Sequence, residues 1–172
     1  ASAEQGAKLA NYYTAGEDIA HLISIPLIMS TTDLPTILST LDYTMAWWYD
    51  PLDLADPWKS HNPDKAINDL SYYDRTMGIW IKVPTDNYLT VAGMVPSNTT
   101  ITLQTGWNLM GYPTFSTKPV GAVLSISVDS ERIEGFDPSK PPEYLKLMHD
   151  QDLMTPCYGY WVKVGAPATF WI

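Results

Sequence analysis

Cysteine is almost missing from this chain. Cys157 stands alone among 172 residues, so no disulfide can close within the chain and packing and hydrogen bonds must hold the fold. Basic side chains are scarce as well. Ten Lys and Arg face 19 Asp and Glu, a formal net charge of −9, and they form no run, which excludes the clustered phosphate contacts that nucleic-acid binding needs. No apolar stretch approaches the ~18 residues of a membrane-spanning helix. The three histidines, His21, His61 and His149, share no metal-ligand spacing and read as loop or surface residues. Gly-x-Ser-x-Gly, His-Glu-x-x-His and phosphate-loop patterns are missing, and the acids sit in turns with no sign of a pair held in a cleft, as a glycosidase needs. Nothing here points to an enzyme. Cys157, behind Pro156, reads as a buried inert thiol, with a disulfide between subunits as the alternative; no base is fixed beside it to make it a nucleophile.

What is present is aromatic and repetitive. The chain holds 7 Trp and 11 Tyr against 3 Phe, side chains with polar tips that suit thin cores and half-wet surfaces. Gly78-Ile79-Trp80-Ile81-Lys82-Val83 returns as Gly159-Tyr160-Trp161-Val162-Lys163-Val164. Trp48-Tyr49-Asp50-Pro51 matches Gly135-Phe136-Asp137-Pro138, and Leu22-Ile23-Ser24-Ile25-Pro26 matches Leu109-Met110-Gly111-Tyr112-Pro113. Pro26 to Asp50 and Pro113 to Asp137 both span 24 positions. Asp50 to Gly78 spans 28 and Asp137 to Gly159 spans 22, so the second copy lacks about six loop residues. Val83 to Val91 and Val164 to Ile172 both span 8, which pairs Tyr88-Leu89-Thr90-Val91 with Thr169-Phe170-Trp171-Ile172.

These signals predict a mainly β protein: two tandem small antiparallel β domains, each with a short helix. Residues 1–13 form an N-terminal arm, 14–93 the first β repeat, and 94–172 a linking strand and the second β repeat. Ile101 to Gln104 alternates at period two, turns at Thr105-Gly106 and continues through Trp107 to Tyr112; its counterpart is Thr14 to Ile25. Asp33 caps a short helix over Leu34 to Leu41, with Pro35 in the tolerant first turn, and the matching segment is Val120 to Ile126. Met45 to Tyr49 and Arg132 to Phe136 are strands. Trp58 to Arg75 is loop-rich, with a helical turn at Asn68 to Tyr73. Along the Gly-x-Trp-x-Lys-Val strand, Trp80 and Lys82 take one face and Ile79, Ile81 and Val83 the other. Fourteen prolines exclude long helices.

Gly106-Trp107-Asn108-Leu109-Met110-Gly111-Tyr112-Pro113 and Gly159 to Val164 resemble a repeat of secreted and cell-surface proteins of methanogenic and related archaea. The resemblance covers residues 14–172, although the first copy lacks the Gly-Trp-Asn opening. It implies an extracellular structural or adhesive module without catalytic residues, and two copies standing alone resemble a small secreted subunit such as a methanogen sheath protein. The small residues Ala1-Ser2-Ala3 and the sequon Asn98-Thr99-Thr100 agree with secretion.

Two functions follow as expectations. In the first, copies of the chain polymerise head to tail into an extracellular sheath or surface layer of the cell envelope. The arm and first strand of one subunit (Tyr12, Tyr13, Ile19, Leu22) pair with the closing edge of the next (Thr169, Phe170, Trp171, Ile172). In the second, the chain is a carbohydrate-binding module that takes cell-surface glycans on Trp47, Trp48, Trp58, Tyr72 and Tyr73; those rings can instead fill the core of the first copy or a subunit contact. Asp50, Asp53 and Asp56 offer oxygen ligands for calcium, against the plainer reading that Asp-Pro pairs open turns.

Overall fold

Short extended segments broken by proline and polar turns give a chain that is mainly β, arranged in several antiparallel sheets with two one-turn helices. The computed structural model describes residues 5–16, 19–124, 128 and 130–172. The first half comprises β1 (Gly6–Tyr13), β2 (His21–Ile23), α1 (Leu34–Ile37), β3 (Met45–Tyr49), β4 (Trp58–His61), β5 (Ile79–Lys82) and β6 (Asn87–Met94). The second comprises β7 (Thr100–Leu103), β8 (Gly106–Met110), β9 (Lys118–Pro119), α2 (Val120–Val123), β10 (Ser130–Phe136), β11 (Leu145–Leu147), β12 (Leu153–Met154), β13 (Tyr160–Val164) and β14 (Ala168–Trp171). The four-stranded sheets run β2-β5-β3-β4 and β8-β13-β10-β11, the same order in both halves. Each half adds a two-stranded ribbon, β1-β6 and β7-β14. The β9-β12 pair has its counterpart in the bridge Asp33↔Tyr72.

Period-two alternation sets what is buried. Ile79, Ile81 and Val83 turn into a core with Leu34, Ile37, Leu89 and Val91, while Trp80 and Lys82 face away, as the pattern predicts. In the second half Tyr160, Val162 and Val164 meet Val120, Val123, Ile101 and Phe170. Asp33 Oδ2 accepts from the Thr36 N–H at 3.0 Å, the expected cap. Regular helix nevertheless ends at Ile37, short of Leu41. The Thr40 hydroxyl bonds Thr90 of β6, accepting from its N–H at 2.8 Å and donating to its carbonyl at 3.0 Å, so that turn is tied to the ribbon. The α2 helix stops at Val123; residues 125–127 of the expected Val120–Ile126 segment lie outside the described residues.

Three expectations are corrected. The supposed arm is strand β1, paired with β6 from Gly6↔Met94 to Tyr13↔Asn87. The loop-rich stretch begins with strand β4, and Asn68–Tyr73 forms no helical turn. Its N–H groups go outward instead, Leu70 to the Ser60 carbonyl (3.0 Å) and Tyr73 to that of Thr32 (2.9 Å). His61 is buried, with Nδ1 2.9 Å from the Tyr43 hydroxyl.

The two sheets meet through equivalent residues. Ile23 bridges Tyr158, and Met110, the repeat equivalent of Ile23, bridges Met77, the equivalent of Tyr158. The Gly159 N–H donates to the Leu22 carbonyl (3.3 Å) and the Gly78 N–H to that of Leu109 (3.2 Å). Ser24 N–H donates to the Cys157 carbonyl (3.0 Å) and Gly111 N–H to that of Thr76 (2.7 Å). Each of these backbone contacts is answered by its exchanged partner, the pattern of an isologous dimer written inside one chain. Gly78 and Gly159 face each other where the halves cross.

Five tyrosines give the fold an alkaline limit. Burial raises the phenols of Tyr13, Tyr43, Tyr73 and Tyr160, and pushes Tyr112 up to about 12. Because the folded-state values lie above the unfolded ones, their stabilisation is complete below about pH 10 and is lost as pH rises through the folded values. Stability in urea is therefore expected to fall above about pH 10, with tyrosinate absorbance rising together with loss of far-UV circular dichroism. Tyrosinate absorbance that rises fully while the dichroism is unchanged would contradict this.

Candidate functional site

Two surfaces stand out: an open strand edge and an aromatic cleft. In the β1-β6 ribbon, the backbone N–H and C=O of Thr90 point to Thr40, and those of Met94 to Ile28. Both therefore point away from β1, so Ala10↔Thr90 and Gly6↔Met94 are pairs that exchange no hydrogen bond. By alternation the backbone groups of Gly6, Lys8, Ala10 and Tyr12 also point outward, on the side of β1 that no described strand covers. In the β7-β14 ribbon, Thr99 and Ile172 exchange both hydrogen bonds (2.9 and 3.0 Å), which turns Thr100 and Thr102 outward in the same way.

The residues expected to make the assembly contact divide. Tyr12 is about half exposed, packs its ring 4.9 Å from Tyr88 and donates to Asp86 at 2.8 Å. Trp171 is 66% exposed. Thr169 is exposed as well, and Ile19 and Ile172 are half-buried. Tyr13, Leu22 and Phe170 are buried and unable to meet another subunit, because period-two alternation sends them into the protein's own interior. The Thr169–Ile172 segment is not a bare edge either: it pairs with β7 on one side.

The cleft lies where the outer faces of the two sheets meet. Tyr49, Trp58, Trp80, Trp107 and Trp161 line a space of about 460 Å³, with the carboxylates of Glu134 and Glu143 beside them. Tyr49, Trp58 and Trp161 pack mutually edge to face, with ring centroids 5.3–5.6 Å apart. Trp107 stands edge-on to Trp161 at 5.9 Å. A second space of about 420 Å³, lined by Ala20, Trp47, Trp58 and Trp80, shares two of these rings. Trp58 is 45% exposed. Glu134 accepts from Arg132 at 2.6 Å.

Of the aromatic set proposed for sugar, only Trp47 and Trp58 reach this surface. Trp48 packs into the cores with its Nε1 buried and without a partner among the described residues. Tyr73 is fully buried and its hydroxyl accepts from the Ile25 N–H at 2.6 Å. Tyr72 lies apart, donating to Asp74 at 2.6 Å. Tyr49, Trp80, Trp107 and Trp161 were missed. The signal was present, since alternation turns Trp80 and Trp161 off the core in both copies; the face that received them belongs to the other half, invisible to a local pattern.

The acidic turn carries its own cation. Lys59 Nζ sits 2.6 Å from Asp53 and 3.7 Å from Asp56, and holds the Asp53 carboxyl below the usual carboxylate range. Asp50 accepts from the Leu52 N–H at 2.9 Å. Asp53 and Asp56 thus face a lysine and Asp50 closes its turn, and no group of three acids, histidines or cysteines that could hold a metal is found among the described residues. Asn98 is exposed between β6 and β7. Cys157 is half-buried with a positive φ of 71°, and burial pushes its thiol up, as an unreactive thiol should be.

No protein-family model, curated protein or solved structure matches this chain. Among the described residues no helix is long and apolar enough to cross a membrane.

Proposed function

We propose that the protein is an extracellular structural subunit that self-assembles through β-strand edges into a sheath or surface layer. The outward edge of β1 carries this reading: eight residues long, it has Lys8 as its one charge and no proline, where edge strands of monomeric proteins are usually short, charged or covered. The β7 edge differs from it in length and sequence. Two unlike edges favour a heterologous contact, one that propagates instead of closing on itself. The motif resemblance to archaeal surface repeats supports the same reading.

The test is the Ala10→Pro variant of the full chain. It removes one outward N–H and no bond to β6, a position where strands tolerate proline. The wild type is expected to form polymers visible by electron microscopy, and the variant to stay monomeric in sedimentation with unchanged circular dichroism. A wild type that stays monomeric, or a variant that polymerises equally, would overturn the proposal.

A further inference from the structure

The aromatic cleft has no part in strand-edge assembly, and one asymmetry in it matters. Repeat alignment places Ala20 where the second half has Trp107. Ala20 immediately precedes β2 and Trp107 lies within β8, each two positions before the equivalent residues Leu22 and Leu109. Trp107 fills its position against Trp161, the equivalent of Trp80. Ala20 leaves its position empty, and the space of about 420 Å³ bordered by Trp47, Trp58 and Trp80 is the result. A face that only had to be buried would gain from a ring there, since filling apolar voids stabilises. The fold leaves the space open, and Trp58 and Trp80 border both it and the neighbouring cleft.

The chemistry of the lining selects an occupant. The walls are ring faces and edges, which take C–H groups. Besides the Tyr49 hydroxyl and the indole N–H groups, the polar side chains lining the cleft are Glu134 and Glu143, whose carboxylates accept hydrogen bonds and donate none. An anionic ligand is repelled by these acids and by the net charge of −9. A wholly apolar ligand would strip water from the carboxylates without replacing its hydrogen bonds. A neutral molecule with apolar faces and hydroxyl edges satisfies both walls, and two neighbouring spaces that share two rings suit a chain of such rings.

We propose that the cleft binds a neutral oligosaccharide, its rings stacked on Trp58 and Trp80 and its hydroxyls donating to Glu143 and Glu134. Ala20 opens the second subsite. Binding is tested with the full chain on an array of neutral glycans, followed by titration calorimetry with a retained glycan. Ala20→Trp is expected to weaken binding at least tenfold while retaining the fold, because the second half accepts tryptophan at the equivalent place. Trp58→Ala, at a partly exposed ring, is expected to do the same, and Phe115→Ala, at an exposed ring outside the cleft, to leave binding unchanged. Retention of no neutral glycan, undiminished binding by both cleft variants, or spermine displacing the retained glycan would each overturn the proposal. Polymer formation by Ala20→Trp is expected to match the wild type, which separates this result from that of the assembly test.

Discussion

Gly78→Ala is expected to lower stability by about 2–3 kcal/mol, and Gly159→Ala by a similar amount, read as a fall of roughly 4–12 °C in the melting temperature of a chain this size. The cause is backbone proximity. A Cβ on Gly78 would stand 2.6 Å from the Met110 carbonyl oxygen and 3.2 Å from the Gly159 Cα. A Cβ on Gly159 would stand 3.0 Å from the Gly78 Cα and 3.0 Å from the Ile23 carbonyl oxygen. These neighbours are backbone and cannot swing aside, so the halves must separate locally and loosen the Gly78–Leu109 and Gly159–Leu22 hydrogen bonds. Both methyls open one gap, so the double variant is expected to cost less than the sum of the singles. Calorimetric melting of the three variants checks both claims; a Gly78→Ala melt within a degree of wild type would refute the first.

Asn108→Ala is expected to cost about 3 kcal/mol in urea unfolding. The side chain is 3% exposed. Its Oδ1 accepts from the Gln104 N–H at 2.8 Å, and its Nδ2 donates to the carbonyls of Gln104 at 2.8 Å and Gly106 at 3.1 Å, with a longer contact to Val162 at 3.4 Å. It closes the turn between β7 and β8, in which Gly106 adopts φ +92°. Truncation leaves the Gln104 N–H and the carbonyls of Gln104 and Gly106 without these partners. His21 occupies the equivalent place in the first half, where its side chain makes one hydrogen bond, Nε2 to the Thr14 carbonyl at 2.9 Å. His21→Ala is therefore expected to cost less than half as much; equal losses would mean that the Asn108 network is not what holds the turn.

Asn108 and Gly106 also explain why part of this fold was legible in sequence. Residues that act on their own neighbourhood, such as the Thr105-Gly106 turn, the Asp33 cap and the alternation along Ile79–Val83, fix local structure and were read correctly. The Leu34–Leu41 helix was overextended because Thr40 answers to Thr90, fifty positions away. The supposed arm was misread because the repeat was traced from its best-preserved motifs. Gly6–Tyr13 has the role of Thr100–Leu103 but little of its sequence, so only strand pairing reveals the match. The cleft was half legible: its tryptophans stood off the core by alternation, but the surface they meet comes from the other copy.

The reciprocal contact between the halves has a further consequence. Between separate chains, a contact of this kind would come apart on dilution. Here the short segment 95–99 tethers the two faces, so that each sees the other at an effective concentration on the order of millimolar whatever the protein concentration outside. The pairing of halves is thereby made independent of supply, and only contacts between whole subunits still respond to how much protein is present. Tethering also removes the requirement that both faces be the same, since each position needs to suit only one partner. That freedom is what lets alanine stand at position 20 while tryptophan stands at 107.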